Sequence, residues 1–410
     1  MITTSIKKYN NHFLIFYAIL LPLGHALQNI GILLLALYWG FSFFPEKKIK
    51  KRNIYLVFLF GIYFISQFFS LLNSDNIKRG AELLVLQSPL IIIPFFLLSA
   101  DVRVNNKVIN KCLWGFTISL IFVLLLNLFS TIIKYEYNFD TILTLPGKEF
   151  AYGIVNYHYL YLSYYISSSI LLLTYFSVKE NKPKFIFVKI ICGIFLFSYM
   201  ILLGGRMSLF ITALGLIAIL FYHFYKAMKN IYSIFLLFLI FLVSFSAYKL
   251  NLPIVEKAKE LVNYNGQYSD IKKQWGGRMM REEIWVCSWK LISGNPILGY
   301  GLGSVQNNMT NCLKENSEFP ILYTGKYRFN AHNQFFQYWL SAGLFGLLCF
   351  LLFIFITLRK SYSKNNFSFM LFLVLSMLTF LTESALERNH GIVFFSFLCA
   401  LLYSNQLNSK

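Results

Sequence analysis

Three short motifs hold the residues best suited to chemistry. Arg278 and Arg281 stand three apart in W-G-G-R-M-M-R-E-E-I-W (275–285), His332 opens A-H-N-Q-F-F-Q-Y-W-L-S-A-G-L-F-G (331–346), and between them runs N-P-I-L-G-Y-G-L-G-S (295–304). Guanidinium groups keep their charge and grip phosphate through paired N–H bonds. An imidazole that is neutral near pH 7 can take a proton from a hydroxyl. Together they suit an anion site beside a general base. Each has a plainer reading: the arginines pair with Glu282 or Glu283, and the histidine is structural. The arginines lie at the expected start of a helix, where acids suit the dipole and cations do not, which favours a bound anion about as well as the pairing. Ile284, Cys287 and Leu291 give that helix one apolar face, with Trp285 and Trp289 beside it.

Arg206 sits just past the tight turn of L-G-G-R-M-S (203–208), between two apolar runs. It is either a snorkelling side chain or an anion site held by a rigid turn. His158 lies among tyrosines in N-Y-H-Y-L-Y-L-S-Y-Y (156–165), as an interfacial aromatic belt does, though polar groups at membrane depth often have a role. Asp75, Lys78, Arg79 and Glu82 share a turn that reads as a solvated loop or a head-group contact. G-Y-G-L-G-S is not a nucleotide loop: Ser304 stands where G-x-G-x-x-G needs its third glycine, and no strand precedes it. It reads as a turn after Pro296 that leads into a short helix.

The elements around these motifs belong to a membrane protein. Hydrophobic residues make up 57% of the 410, charged residues only 13%, against about 25% in soluble domains. A span needs about 20 apolar residues, and roughly twelve runs qualify, near 11–24, 27–44, 54–73, 83–99, 112–133, 155–177, 185–203, 207–223, 232–250, 333–358, 367–382 and 390–404. Pro89 and Pro94 should kink the fourth. With both termini inside, nineteen lysines and arginines face the cytoplasm and only Lys78, Arg79, Lys134, Lys148, Arg206 and Arg388 occupy short outside loops. The positive-inside rule selects this orientation, so the net charge of +20 implies topology and not nucleic acid. The N-terminal run is expected to be a retained first helix, since cleavage after it would leave another apolar run at the new terminus.

One membrane domain is expected, 1–410, with no internal repeat and one large external loop, 251–332, between helices nine and ten. A second loop, 134–154, is long enough to fold back. Counting Lys249, the large loop has eleven basic residues against seven acids, an excess that favours an anionic ligand. Cys287 and Cys312 share it and are expected to pair if that face is the oxidising one; their spacing alone leaves this open.

The pattern resembles the O-antigen ligase and O-antigen polymerase family of bacterial membrane glycosyltransferases. G-G-R-M-S-L between two helices, R-E-E-I-W followed by N-P-I-L-G-Y-G-L-G, and A-H-N-Q-F-F-Q-Y-W-L-S-A-G-L-F-G-L-L carry the resemblance; the first half of the chain is similar only in layout. The resemblance implies an all-α, glycosyltransferase-C-like fold and metal-independent transfer without a cofactor, on the periplasmic face of the bacterial inner membrane. It also implies a glycan donor on undecaprenyl diphosphate and a hydroxyl acceptor, foremost lipid A-core. By position, Arg206 and Arg281 would hold the diphosphate and His332 would take the acceptor proton; Arg278, Arg79 and His158 are expected, from the reading of the residues themselves, as further substrate contacts. Arg281 is preferred to Arg278 because it stands four residues before Trp285. Polymerase and protein O-glycosyltransferase readings share the donor. A transporter is disfavoured because its ionisable groups would lie near mid-membrane at repeat interfaces.

Overall fold

The computed structural model describes residues 2–43, 54–99, 104–136, 145–180, 186–226, 278–317, 322 and 329–406. In chain order the α-helices are α1 (Ile2–Leu20), α2 (His25–Phe43), α3 (Tyr55–Ser70), α4 (Ile77–Gln87), α5 (Pro89–Ser99), α6 (Asn106–Lys134) and α7 (Gly147–Ala151). There follow α8 (Tyr159–Glu180), α9 (Ile186–Leu203), α10 (Arg206–Lys226), α11 (Arg278–Gly294), α12 (Val305–Asn316), α13 (Gln334–Ser363), α14 (Phe367–Phe380) and α15 (Asn389–Gln406). Among the described residues there is no strand, only one isolated bridge from Tyr152 to Asn156. The fold is that of an all-α membrane protein: among the described residues five segments, Tyr55–Asn73, Ile77–Ser99, Asn106–Lys134, Arg206–His223 and Gln334–Ser363, are long and apolar enough to cross a bilayer. The ninth expected run, 232–250, lies outside the described residues.

The fourth expected span differs from its sequence reading. It begins at Ile77, not near 83, because Asn76 caps α4 by accepting the Arg79 amide at 2.9 Å. The helix stops at Gln87, and Pro89 opens α5 from a position where a missing N–H costs nothing. Asparagine side chains cap α6, α13 and α14 in the same way.

The described helices fall into two compact units. The first contains α1, α2 and α6–α10. Here α1 packs on α2 and α6, while α8 packs on α6, α9 and α10. Tyr17, Phe116 and Tyr165 are fully buried, and the Gln28 amide bonds the Leu21 carbonyl at 2.7 Å. Buried Asn127 of α6 exchanges two hydrogen bonds with the Val155 backbone, at 3.0 and 3.1 Å, so residues 145–157 fold back against α6. Lys134 and Glu149 form an ion pair at 2.7 Å over the same segment; its hydrogen bond holds the Glu149 carboxyl below its ordinary value.

The second unit contains α3–α5 and α11–α15. Helix α3 packs on α13 and α5, α5 on α15, and α14 on both α13 and α15. Rings fill the space between them: Phe60 meets Phe353 at 4.4 Å, Tyr63 meets Tyr338 at 4.5 Å, and Phe380 meets Phe395 at 5.3 Å. Helices α11 and α12 form a lobe around Ile284, Cys287, Ile292, Met309 and Leu313, with Ala331 and Leu340 completing its core. Cys287 and Cys312 are joined in a disulfide, with Cα atoms 5.8 Å apart. Ile284 and Cys287 are buried as the periodicity predicts, but Ile292 replaces Leu291 as the third member of the face.

Helix α13 is not continuous. Ala342 and Gly343 leave helical geometry, Gly343 at φ +64°, so a short helix to Ser341 precedes the long apolar segment that starts at Leu344. The loop Asn295–Ser304 lies against this break. Tyr300 and Gly301 donate their amides to the Leu340 and Ser341 carbonyls at 2.7 and 3.0 Å, and the Leu344 amide donates to the Pro296 carbonyl at 2.9 Å. The loop's other side meets the α3–α4 turn, where Asn73 donates to the Gly299 carbonyl and Gly303 donates to Ser74. Backbone this close leaves no room for a Cβ: one on Gly343 would stand 1.9 Å from the Ile297 oxygen.

Two outcomes follow from this packing. Gly343→Ala combines a clash with a left-handed φ and should destabilise the folded protein by at least about 2 kcal/mol, whereas Gly61→Ala, with nothing within 4 Å of its Cβ, should be neutral or slightly stabilising. Thermal unfolding in detergent compares them, and equal midpoints would exclude the docking described. Replacing Cys287 and Cys312 by serine should cost about 3 kcal/mol by loop entropy. Peptide mass spectrometry without reductant should find the two joined, and free thiols at both positions would contradict the bond.

Candidate active site

The second unit builds a site around His332, two residues before α13. Its Nδ1 lies 3.0 Å from Glu383 Oε2 in the turn between α14 and α15. Glu383 is buried, with 8% of its side chain exposed against 20% for His332, so the pair is screened from solvent on the carboxylate side. With Glu383 ionised, Nδ1 carries the hydrogen and donates it, and Nε2 keeps its lone pair. Among the described residues nothing hydrogen-bonds Nε2. A carboxylate that fixes the tautomer and stabilises the imidazolium is the arrangement a general base needs.

The backbone at His332 is strained, with φ +44°, a conformation that costs a β-carbon residue about 1–2 kcal/mol. Its neighbours hold it there. The Asn330 side chain accepts the His332 amide at 3.0 Å, Gln337 accepts the Ala331 amide at 3.1 Å, and Ser384 accepts the Asn333 amide at 3.2 Å. Asn333 caps α13 by accepting the Phe335 and Phe336 amides at 2.9 and 3.2 Å. Gln334 reaches the facing turn and accepts the Leu386 amide at 2.7 Å. Asn333, Gln334 and Gln337, the three polar residues that follow the histidine in A-H-N-Q-F-F-Q, therefore serve one purpose, the placement of an imidazole against the turn 383–387.

A second acid stands at the other end of that turn. Glu387 accepts a hydrogen bond from Gln87 of α4 at 3.2 Å, and Gln87 accepts one from Tyr63 at 3.4 Å. Burial pushes the Glu387 carboxyl up to about 7; Arg388, Arg79 and the Gln334 amide oppose the shift without cancelling it. Near neutral pH Glu387 is thus partly protonated, at the other end of the turn from Glu383.

Arg281 lies in the first turn of α11 and is partly exposed. Among the described residues it forms no ion pair or hydrogen bond, so the pairing with Glu282 or Glu283 that the sequence allowed is not made. Glu283 bonds the Ser317 hydroxyl instead. Met280 beside Arg281 and Ala331 beside His332 belong to the same buried cluster, which brings the two motifs into one lobe. Arg278 is the first residue of α11. Arg79 is engaged at the surface with Glu82 at 2.9 Å.

The other two sequence candidates belong to the first unit. Arg206 begins α10 two residues after Gly204, which has φ +66°, and its amide donates to the Gly204 carbonyl at 3.0 Å. A Cβ on Gly205 would meet the Ser163 hydroxyl at 2.6 Å, so the turn before Arg206 presses on α8. His158 precedes α8 and packs against Tyr159, tilted, and Tyr161, edge-on, with ring centroids 4.7 and 6.0 Å away.

Glu383 and Glu387 are the functional candidates that sequence reasoning missed. The signal was available: T-E-S-A-L-E-R-N (382–389) puts two acids between apolar runs, in a chain with only 17 acids. Charge counting for topology uses lysine and arginine and passes over them.

No curated protein matches the sequence. Residues 190–351 match the family described as O-Antigen ligase, a stretch that contains Arg206, Arg278, Arg281, the Gly343 break and His332, while Arg79, His158, Glu383 and Glu387 fall outside it. The match supports the O-antigen ligase family over residues 190–351, which is less than half of the chain.

Proposed function

We propose that this protein transfers a glycan from undecaprenyl diphosphate to an acceptor hydroxyl, most plainly O-antigen to lipid A-core. The observation that carries the reading is the His332–Glu383 pair, with Nε2 left open to receive a proton. The acceptor hydroxyl gives its proton to Nε2 as its oxygen bonds the anomeric carbon. The bond from that carbon to the diphosphate breaks, and its electron pair stays on the diphosphate oxygen. Glu383 stabilises the imidazolium that forms. Arg281, without a partner among the described residues, supplies fixed charge for the leaving group, and the resemblance gives Arg206 the same role. Arg278 and His158 are assigned to substrate contact, as is Arg79, which must first leave Glu82. The reaction calls on neither metal nor cofactor. By charge asymmetry the site faces the periplasm from the inner membrane, and the 251–332 segment is its external loop.

Purified protein with lipid-linked donor tests these roles. His332→Ala should lower transfer by about 10²–10⁴-fold with donor affinity kept. Glu383→Gln offers Nδ1 an N–H, which forces the ring hydrogen onto Nε2 and should lower transfer by about 10- to 10⁴-fold with an altered pH profile. Arg281→Ala should weaken donor binding and transfer more than Arg278→Ala does. A folded His332→Ala protein with the parent rate would end the general-base role.

The acceptor is read from a deletion strain. Loss of a ligase should leave lipid A-core bare while long glycans accumulate on undecaprenyl diphosphate. Core capped by a single repeat unit would assign a polymerase, and loss of glycan from proteins alone would assign protein O-glycosylation.

A further inference from the structure

We propose that the end of the α11–α12 lobe nearest the α13 break is an anchor that dips into the boundary between lipid head groups and acyl chains. Ile297 and Leu298 are 69% and 63% exposed, in a loop whose backbone bonds directly to Leu344, the first residue of the long apolar segment of α13. That segment presents Phe345 and Leu348 outward, 59% and 53% exposed, which in a membrane-spanning helix is lipid-facing surface. The Pro296 carbonyl accepts from both the Leu344 amide and the Trp339 indole N–H, each at 2.9 Å, so loop, tryptophan and membrane helix are fixed to one point. Trp289 packs edge-on against Trp339 with centroids 5.9 Å apart and remains 54% exposed. The exposed apolar surface of the lobe is therefore continuous with the surface that lipid must cover. Its composition, two branched aliphatics with two tryptophans, one with its N–H satisfied, is what the membrane interface selects.

The polar part of the lobe lies elsewhere on α11: Arg281, Glu282 and Glu283 occupy its first turns, while Val286 and Trp289 are exposed further along. The anchor ties the lobe that carries Arg281 and the approach to His332 to the bilayer. This inference goes beyond the transferase reading and does not depend on it.

The test uses the full chain with Cys112, Cys192, Cys349 and Cys399 replaced by alanine, so that the disulfide stays intact. Leu298→Cys and, separately, Ile297→Cys are labelled with bimane and reconstituted in phosphatidylethanolamine–phosphatidylglycerol nanodiscs. The expected result is blue-shifted emission, quenched by lipid brominated near the head group and resistant to aqueous iodide. Lys290→Cys, on the exposed polar side of α11, should show the reverse. Iodide quenching at 297 and 298 without quenching by brominated lipid would overturn the anchor. So would lipid quenching abolished by added polyprenyl diphosphate, which would assign the surface to a donor chain and not to the bilayer.

Discussion

Backbone meeting backbone at the α13 break organises the second unit. Ending a helix inside apolar surroundings strands carbonyls that water cannot reach, at a cost of several kcal/mol each if unpaired. Here the Leu340 and Ser341 carbonyls receive the amides of Tyr300 and Gly301, and the loop receives the Leu344 amide in return. The exchange works only because Gly299, Gly301 and Gly343, all with positive φ, let the chains approach without β-carbons. It ends the short first part of α13 and starts the lipid-facing part within two residues. The histidine motif is thereby carried by a helix anchored at both ends, by the Asn333 cap at one and the glycine loop at the other.

Around His332 the same accounting holds for side chains. Asn330, Asn333, Gln334, Gln337, Glu383 and Ser384 each make a defined hydrogen bond, and together they define the imidazole's place. Amides predominate over charges. That choice suits a buried setting, since an amide satisfies a backbone N–H without the desolvation cost of an ion. The one carboxyl group among them, Glu383, is the one that contacts the ring.

Much of this was legible from residue order. The apolar runs located helices because a bilayer demands about 20 apolar residues whatever the packing. Arg281 and His332 stood out because charged and titratable groups are rare in this chain. The break in α13 was hidden, because S-A-G-L-F-G is as apolar as its flanks and a glycine alone does not say whether its φ is positive. The fourth span's true start was hidden because the Asn76 cap lies in a charged turn that reads as loop. Glu383 could not be joined to His332 because 51 residues separate them, and only folding α14 and α15 against α13 brings them to 3.0 Å.

The left-handed backbone at His332 has a bearing on how the protein has been shaped. Glycine would occupy that conformation without strain, so a chain selected for folding alone would drift toward glycine at 332. Three hydrogen bonds, from the Ala331, His332 and Asn333 amides, hold the histidine in this conformation, and a buried carboxylate meets its ring. Under the proposed general-base role, the strain at 332 is stability given up so that an imidazole, which glycine lacks, stands at this point of the fold.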